Sequence, residues 1–490
     1  DKEGRGDPSS CEGVARKLLG GAGFVCALFV AAVAATPAVA QTLEEALAQA
    51  YLINPVLNAE RANLRATDEN VPIAKSRLRP NISGSADAAI QKLTTNRGGG
   101  QFAVNGGGGG GGFTGDEGTT YPHSLSVQLS QPIFQGFQIL NAIRQAKSGV
   151  QAAREGLRAT EQNVLLAAAT AYVNVVRERA VVRLRENDVS VLNEQLKATR
   201  DRFEVGEVTR TDVAQAEARV AEARAILALA QANLKTSEAD YQQVIGDPPG
   251  VLVTPPSIRH LLPSTLDEAM TLGDGENPII LASVYAEEAS LYNIQQLMGQ
   301  LLPNVSLDAS YSKSYAGNER GDWSENTVVS GRVTVPFYQG GGVAASVRQA
   351  KEDNNRFKKL VEDARLGVHA DVLSQWGFLQ SSGPQIASAQ AAVEANKIAL
   401  TGVQEEEKVG QRTTLDVLDA QRELLNSQIL LVRALRDRIV AEYSLFAAIG
   451  RMDAQTLGLP VPYYDPFEHY DIVKNKWFGL RPPAPPAPDE

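Results

Sequence analysis

The side chains of this 490-residue chain that could do chemistry are few, and few of them are placed to act together. Its four histidines, His123, His260, His369 and His469, are too scattered to suggest a metal site. Its two cysteines, Cys11 and Cys26, both fall in the first 40 residues, so the rest of the chain offers no thiol nucleophile, disulfide or cysteine-zinc site. No G-x-x-x-x-G-K followed by Ser or Thr occurs, so the glycine run from Gly98 to Gly112 is not a phosphate loop and reads as a flexible loop. Near two turn glycines, Gly206 and Gly410, stand Asp212, Arg412, Asp416 and Asp419. Spacing alone makes these ordinary helix caps or solvated turn charges. Nothing here spells an enzyme, a cofactor site or a metal site.

The elements that must carry these residues are written twice. Thr42, Leu43, Glu45, Ala46, Asn54, Pro55, Leu78, Pro80, Asn81 and Ser83 recur 223 positions later, from Thr265 to Ser306. Pro132, Gly136, Gly206, Thr209, Asp212 and Gly246 recur 204 positions later as Pro336, Gly340, Gly410, Thr413, Asp416 and Gly450. The change of offset falls where the first copy holds its Gly98–Gly112 run, so a whole domain-sized unit is duplicated and its large length change sits in a loop. The division is a leader with upstream extension at 1–40, a first repeat at 41–250, a linker at 251–264, a second repeat at 265–452 and a Pro-rich tail at 453–490.

Arg16 and Lys17 followed by the apolar run Leu18–Ala35 and by Ala38-Val39-Ala40 read as a cleaved export signal, with the cut before Gln41. The net charge is −10 and no basic cluster is present, which argues against nucleic-acid binding. No later apolar run approaches a transmembrane helix. If the protein meets a membrane, strands must do the crossing.

Candidate strands alternate apolar and polar residues. Ile82, Gly84, Ala86, Ala88 and Ile90 interleave with Ser83, Ser85 and Asp87, and Leu125, Val127 and Leu129 with Ser124, Ser126, Gln128 and Ser130. The second repeat does the same with Val305, Leu307, Ala309 and Tyr311, then with Val329, Gly331, Val333 and Val335. This predicts one hairpin per repeat, within 80–135 and 303–338, of membrane-strand length, with aromatics such as Phe134, Phe137, Phe337, Tyr338 and Trp323 near the strand ends. Four strands cannot close a membrane barrel, and an open edge in lipid costs several kcal/mol per unsatisfied group. Copies of the chain must therefore share one.

The remainder is helix in heptads. Val213, Val220, Leu227, Leu234 and Tyr241 recur every seventh position with small residues three further on, and the second repeat does likewise from Val417, with Arg438 the exception. Phe137 to Phe203 shows no stop signal, which predicts a helix of about 100 Å. Both long helices carry an eleven-residue step, Val164 to Val175 and Val368 to Leu379, a stutter that relaxes the supercoil. Gly383-Pro384 should kink or break the second one.

These features together resemble the TolC family of outer-membrane exit ducts: the duplicated unit, the strand-to-helix junctions around Pro132, Gly136, Pro336 and Gly340, and above all the turns Phe203–Val213 and Val409–Ala420. The resemblance covers about residues 42 to 452. It implies a membrane β-barrel continued by a long α-helical coiled-coil barrel, with each protomer giving four strands, two long helices and several shorter ones. It further implies a homotrimer closing twelve strands in outer-membrane lipid, a periplasmic adaptor (membrane fusion protein), and an inner-membrane ABC or proton-driven transporter.

Matched position by position, the resemblance places Asp416 and Asp419 in rings at the periplasmic mouth, where six carboxylates would favour cations and raise some of one another's pKa values. It matches Arg412 to the arginine of a closing latch and Asp212 to its acidic partner. Glu407 departs from the family, which often has an aromatic three residues before the turn glycine, so part of that network is expected to be rewired. The expected function is a passive conduit for type I secretion or multidrug efflux. The competing class is a non-conducting coiled-coil stalk or periplasmic spacer.

Overall fold

The computed structural model describes residues 41–93, 118–315 and 323–483. The expected leader, the Gly98–Gly112 run and residues 484–490 of the Pro-rich end lie outside the described residues. In chain order come α1 (Leu43–Ile53), α2 (Pro55–Asp68), α3 (Asn70–Ser76), β1 (Asn81–Ala88), β2 (Gln91–Leu93), β3 (Gly118–Thr120) and β4 (His123–Gln135). Then follow α4 (Gln138–Glu204), α5 (Arg210–Ile245), α6 (Leu266–Glu276), α7 (Pro278–Met298), β5 (Asn304–Tyr315), β6 (Trp323–Thr334), α8 (Gly342–Lys408), α9 (Thr414–Ala448) and α10 (Glu468–Val473).

The residues that recur in sequence are largely those that start and stop helices. Thr42 and Glu45 form a reciprocal capping box at α1, and Thr265 accepts from the Glu268 N–H at α6. Asn54 caps α2 and Asn277 caps α7, each followed by proline at the first helical position. Their side-chain amides also reach across, Asn54 donating to the Val244 carbonyl at 2.8 Å and Asn277 to the Ala448 carbonyl at 2.9 Å. Each short helix is thereby tied to the end of a coil helix.

α4 and α8 each run 67 residues, about 100 Å at 1.5 Å per residue. The main core lies at the stutters, where Val164, Leu165, Ala168, Tyr172 and Val175 of α4 meet Tyr241, Val368, Val372, Leu445 and Phe446. A helix relaxed from strict heptads turns more than one face inward over that stretch, and α1, α2 and α7 pack there. α8 passes Pro384 without a break. Just before it, the Ser382 hydroxyl donates to the Leu379 carbonyl at 2.7 Å.

β1, β4, β5 and β6 form one antiparallel sheet in that order. Among the described residues β1 and β6 are its edges, and each has one side unpaired. Alternation puts Ile82, Gly84 and Ala86 beside Leu129, Val127 and Leu125 on one face. The other face is polar and laced by hydroxyls: Ser85 to Ser126 at 2.8 Å, Ser130 to Asp308 at 2.7 Å, Ser314 to Ser324 at 2.7 Å. The first hairpin differs from the expected form: β1 stops at Ala88, before Ile90, and β2 and β3 form a separate two-stranded ribbon. No described helix is long and apolar enough to cross a membrane.

Candidate functional site

Both coil pairs turn over in the same way. α4 ends at Glu204, and Gly206, at φ +82°, donates to the Phe203 carbonyl at 3.0 Å while Glu207 donates to that of Arg202 at 2.9 Å. At the end of α8, Gly410, at φ +76°, donates to Glu407 at 3.0 Å and Gln411 to Glu406 at 2.9 Å. Only glycine takes this left-handed conformation without cost, and the turn satisfies carbonyls that the helix end leaves free. The next helices start on matching boxes. Thr209 donates its N–H to Asp212 at 2.8 Å and accepts from the Asp212 N–H at 3.3 Å; Thr413 and Asp416 repeat both distances.

Asp416 thus sits at the turn as an N-cap partner, and its carboxyl is held below the usual carboxylate range, first by the Thr413 N–H, then by the Thr413 hydroxyl and by Arg412. The cap works against the repulsion expected between copies. Arg412 donates to Glu406 at 2.9 Å, which raises its own pKa. Within one chain, Arg412 and Asp212 are each engaged in their own turn.

Asp419 reaches from α9 to Arg219 of α5 at 3.0 Å and to Arg422 at 3.4 Å. Glu407 pairs with Arg202 of α4, tying the tips of the two long helices together. Beneath these bridges Leu418 packs with Leu192, Val220 and Ala223. The partners Arg202, Arg219, Arg422 and Glu406 were missed in sequence. Arg422 stands three residues after Asp419 and carried a helix-pair signal. Arg202 and Arg219 lie about two hundred residues from their partners and carried none.

At the other end of the coils, Pro132 lies where the β4–β5 register slips, so its missing N–H falls at an irregularity. Gly136 and Phe137 both take positive φ, 56° and 62°, to swing the chain from strand into α4. Pro336 follows β6, and Gly340 at φ +64° makes the equivalent swing into α8. The histidines stay apart: His123 stacks on Tyr315, His369 pairs with Asp274 and His469 with Asp68.

The pattern of the outer membrane efflux protein family matches residues 42–247 and 274–451. The chain belongs to this family. It is 42% identical to the outer membrane efflux protein BepC of Brucella suis over 448 residues, 91% of this chain and 93% of BepC. It is 26% identical to the outer membrane protein TolC of Escherichia coli, over 85% of this chain and 84% of TolC. In fold it superposes on the CmeC outer membrane channel of Campylobacter jejuni with a TM-score of 0.73 at 17% identity, covering 88% of this chain and 89% of CmeC. As a member of the outer membrane efflux proteins it is an exit channel for efflux or secretion, seated in the outer membrane and extending into the periplasm. A non-conducting stalk or spacer is not favoured.

Proposed function

We propose that three copies of this chain close one twelve-stranded barrel and continue it as a helical tunnel, a passive conduit whose periplasmic mouth is made by the α4–α5 and α8–α9 turns. The observation that carries this is the open four-stranded sheet, whose two free edges would leave backbone groups unpaired in lipid. The duplication supplies the missing pairing. Asn81 faces Ser130 in the first hairpin and Asn304 faces Thr334 in the second, so the two registers are related by the same offsets of 223 and 204 that relate the sequences. In the chain, Leu129 of β4 faces Ala309 of β5, and Val127 faces Tyr311. Carried across those offsets, Val333 of β6 faces Ala86 in β1 of the next copy, and Gly331 faces Ala88. Apolar face then meets apolar face.

At the mouth, Asp416 and Asp419 ring the axis, and Arg412 and Asp212 latch neighbouring coils. Arg412 is half exposed, so exchanging Glu406 for another carboxylate costs little. Glu407, taken by Arg202, replaces an aromatic contact of the family with an ion pair inside the protomer. No catalysis is assigned to the chain. The work of transport falls to an inner-membrane ABC or proton-driven transporter, reached through a periplasmic adaptor.

Planar-bilayer recording tests the conduit. The purified oligomer should give discrete cation-selective currents, weakened in selectivity by Asp416→Ala with Asp419→Ala, and Arg412→Ala should lengthen the open periods. An oligomer that never conducts, in wild type and latch variants alike, contradicts it.

A further inference from the structure

Residues 453–483, grouped with the tail in sequence, form a packed strap that climbs from the core to the foot of the barrel. Its Ala454 N–H donates to Glu161 at 2.8 Å, its Tyr464 N–H donates to the Tyr51 hydroxyl at 2.9 Å, and His469 pairs with Asp68 at 3.0 Å. Higher up, the Lys75 ammonium donates to the Lys474 carbonyl and to the Asn475 side chain, both at 2.8 Å. Arg79 donates to the Lys476 carbonyl at 2.8 Å and lies 4.4 Å over the Trp477 ring. Arg79 stands just before Pro80 and Asn81, where β1 begins. Trp477 is thereby fixed at the level where the chain enters the sheet.

What the strap presents there is apolar and uncovered. Trp477, Phe478 and Leu480 are 59%, 87% and 104% exposed, a concentration that a water-facing surface has no reason to hold in place with two arginine contacts. Ile133, Phe137, Phe337 and Tyr338, at the same helix-side ends of the strands, are exposed as well. Lys75, Arg77, Arg79, Lys474, Lys476 and Arg481 lie along the same stretch of α3, β1 approach and strap. Their crowding is felt by Lys75, whose pKa is lowered by partial burial first and then by Lys147, Lys474 and Arg79. Of the strap's four acids, Asp453, Asp465 and Glu468 come earlier in the chain, and Asp471, the one nearest this stretch, is paired with Lys474 at 2.6 Å. Aromatic rings rimmed by cations are what the headgroup zone of an anionic bilayer accepts.

We propose that Trp477, Phe478 and Leu480 insert into the periplasmic leaflet beside the barrel, with the neighbouring lysines and arginines held over anionic phospholipid headgroups. This rests on the reading of β1, β4, β5 and β6 as membrane strands. The strap then acts as an interfacial anchor: it ties the outer face of the helical core to the bilayer at a point next to β1.

Tryptophan quenching in proteoliposomes of the full chain tests the anchor and separates it from the barrel. The chain has three tryptophans, so Trp323→Phe with Trp376→Phe leaves Trp477 as the reporter, and Trp376→Phe with Trp477→Phe leaves Trp323 on β6. With phosphatidylglycerol brominated high on its acyl chains, both reporters should be quenched, and Trp477 should be shielded from aqueous iodide. Lys476→Gln with Arg481→Gln should lower the docked-to-free ratio of Trp477 on phosphatidylglycerol by about thirtyfold, with little change on phosphatidylcholine. Quenching of Trp323 without Trp477 overturns the anchor and leaves the barrel standing, whereas quenching of neither overturns both. A Trp477 shielded from lipid and iodide alike is covered by a second copy, which also overturns the anchor.

Discussion

Gly136 and Gly299 meet backbone to backbone: a β-carbon on Gly136 would lie 2.2 Å from the Gly299 carbonyl oxygen, and one on Gly299 would lie 2.3 Å from that of Gly136. The contact locks the β4–α4 swing of the first repeat onto the end of α7 in the second. Gly136→Ala should therefore cost about 3 kcal/mol or more, from overpacking added to left-handed strain. At the repeat-related Gly340, also at positive φ, a β-carbon would meet nothing within 4 Å of the same chain. Gly340→Ala should cost only about 1 kcal/mol. Thermal unfolding of the two variants checks this, and equal losses would contradict it.

The Arg219–Asp419 and Arg202–Glu407 pairs join the turn ends of the two coils, which the proposed conduit has at its mouth. The Arg219–Asp419 pair is partly exposed, so Arg219→Ala should change global stability by no more than about 1 kcal/mol, whereas Glu407→Ala, which removes a largely buried carboxylate, should cost about 1–2 kcal/mol. Each should nonetheless raise the open probability of the channel in planar bilayers if, as in the proposed conduit, the joined tips must separate. A large drop in melting temperature with unchanged gating would place these pairs in the scaffold instead.

Thr209→Ala and Thr413→Ala each remove one cap hydroxyl, which should cost about 1 kcal/mol of local helix stability. Faster amide exchange confined to the first turn of α5 or α9 is the expected signature. Unchanged exchange would show that the cap is not limiting there.

Asp416 has a folded pKa below its unfolded one, so the stability it lends the cap is fully present above about pH 4 and is lost as pH falls through the lower folded value. In an Asp419→Asn background, the cation selectivity owed to Asp416 should stay flat from about pH 8 to 5 and decline only below the ordinary carboxylate range. Thr413→Ala removes one of the two hydrogen-bonding causes and should move that decline part of the way up. Permeability ratios against pH read it directly, and a decline centred near neutrality would contradict the assignment.

What could be read in sequence was what acts locally. Thr42, Asn54, Thr209 and Gly206 announce helix ends through their own backbones, so their recurrence at Thr265, Asn277, Thr413 and Gly410 gave the duplication and most element boundaries. Alternation gave the four strands of the sheet, whereas the eleven-residue steps announced a relaxed supercoil and not the core that gathers there. The Gly136–Gly299 approach, the Arg202–Glu407 pair and the strap over Asp68 and Arg79 were not legible. Each joins residues more than 150 positions apart, and only the packed helices bring them together. The short β2–β3 ribbon escaped because three residues cannot display a period.

The central claim, that the sheet is completed by identical copies in a defined register, is tested most directly by disulfide crosslinking. Residues 41–490 contain no cysteine, so Val333→Cys with Ala86→Cys introduces the only thiols of that region. Mild oxidation in membranes should give covalent dimers and trimers on a non-reducing gel, and Val333→Cys with Gly84→Cys, one same-face step out of register, should give far fewer. A chain that stays monomeric under oxidation, or that crosslinks equally well out of register, would contradict the account.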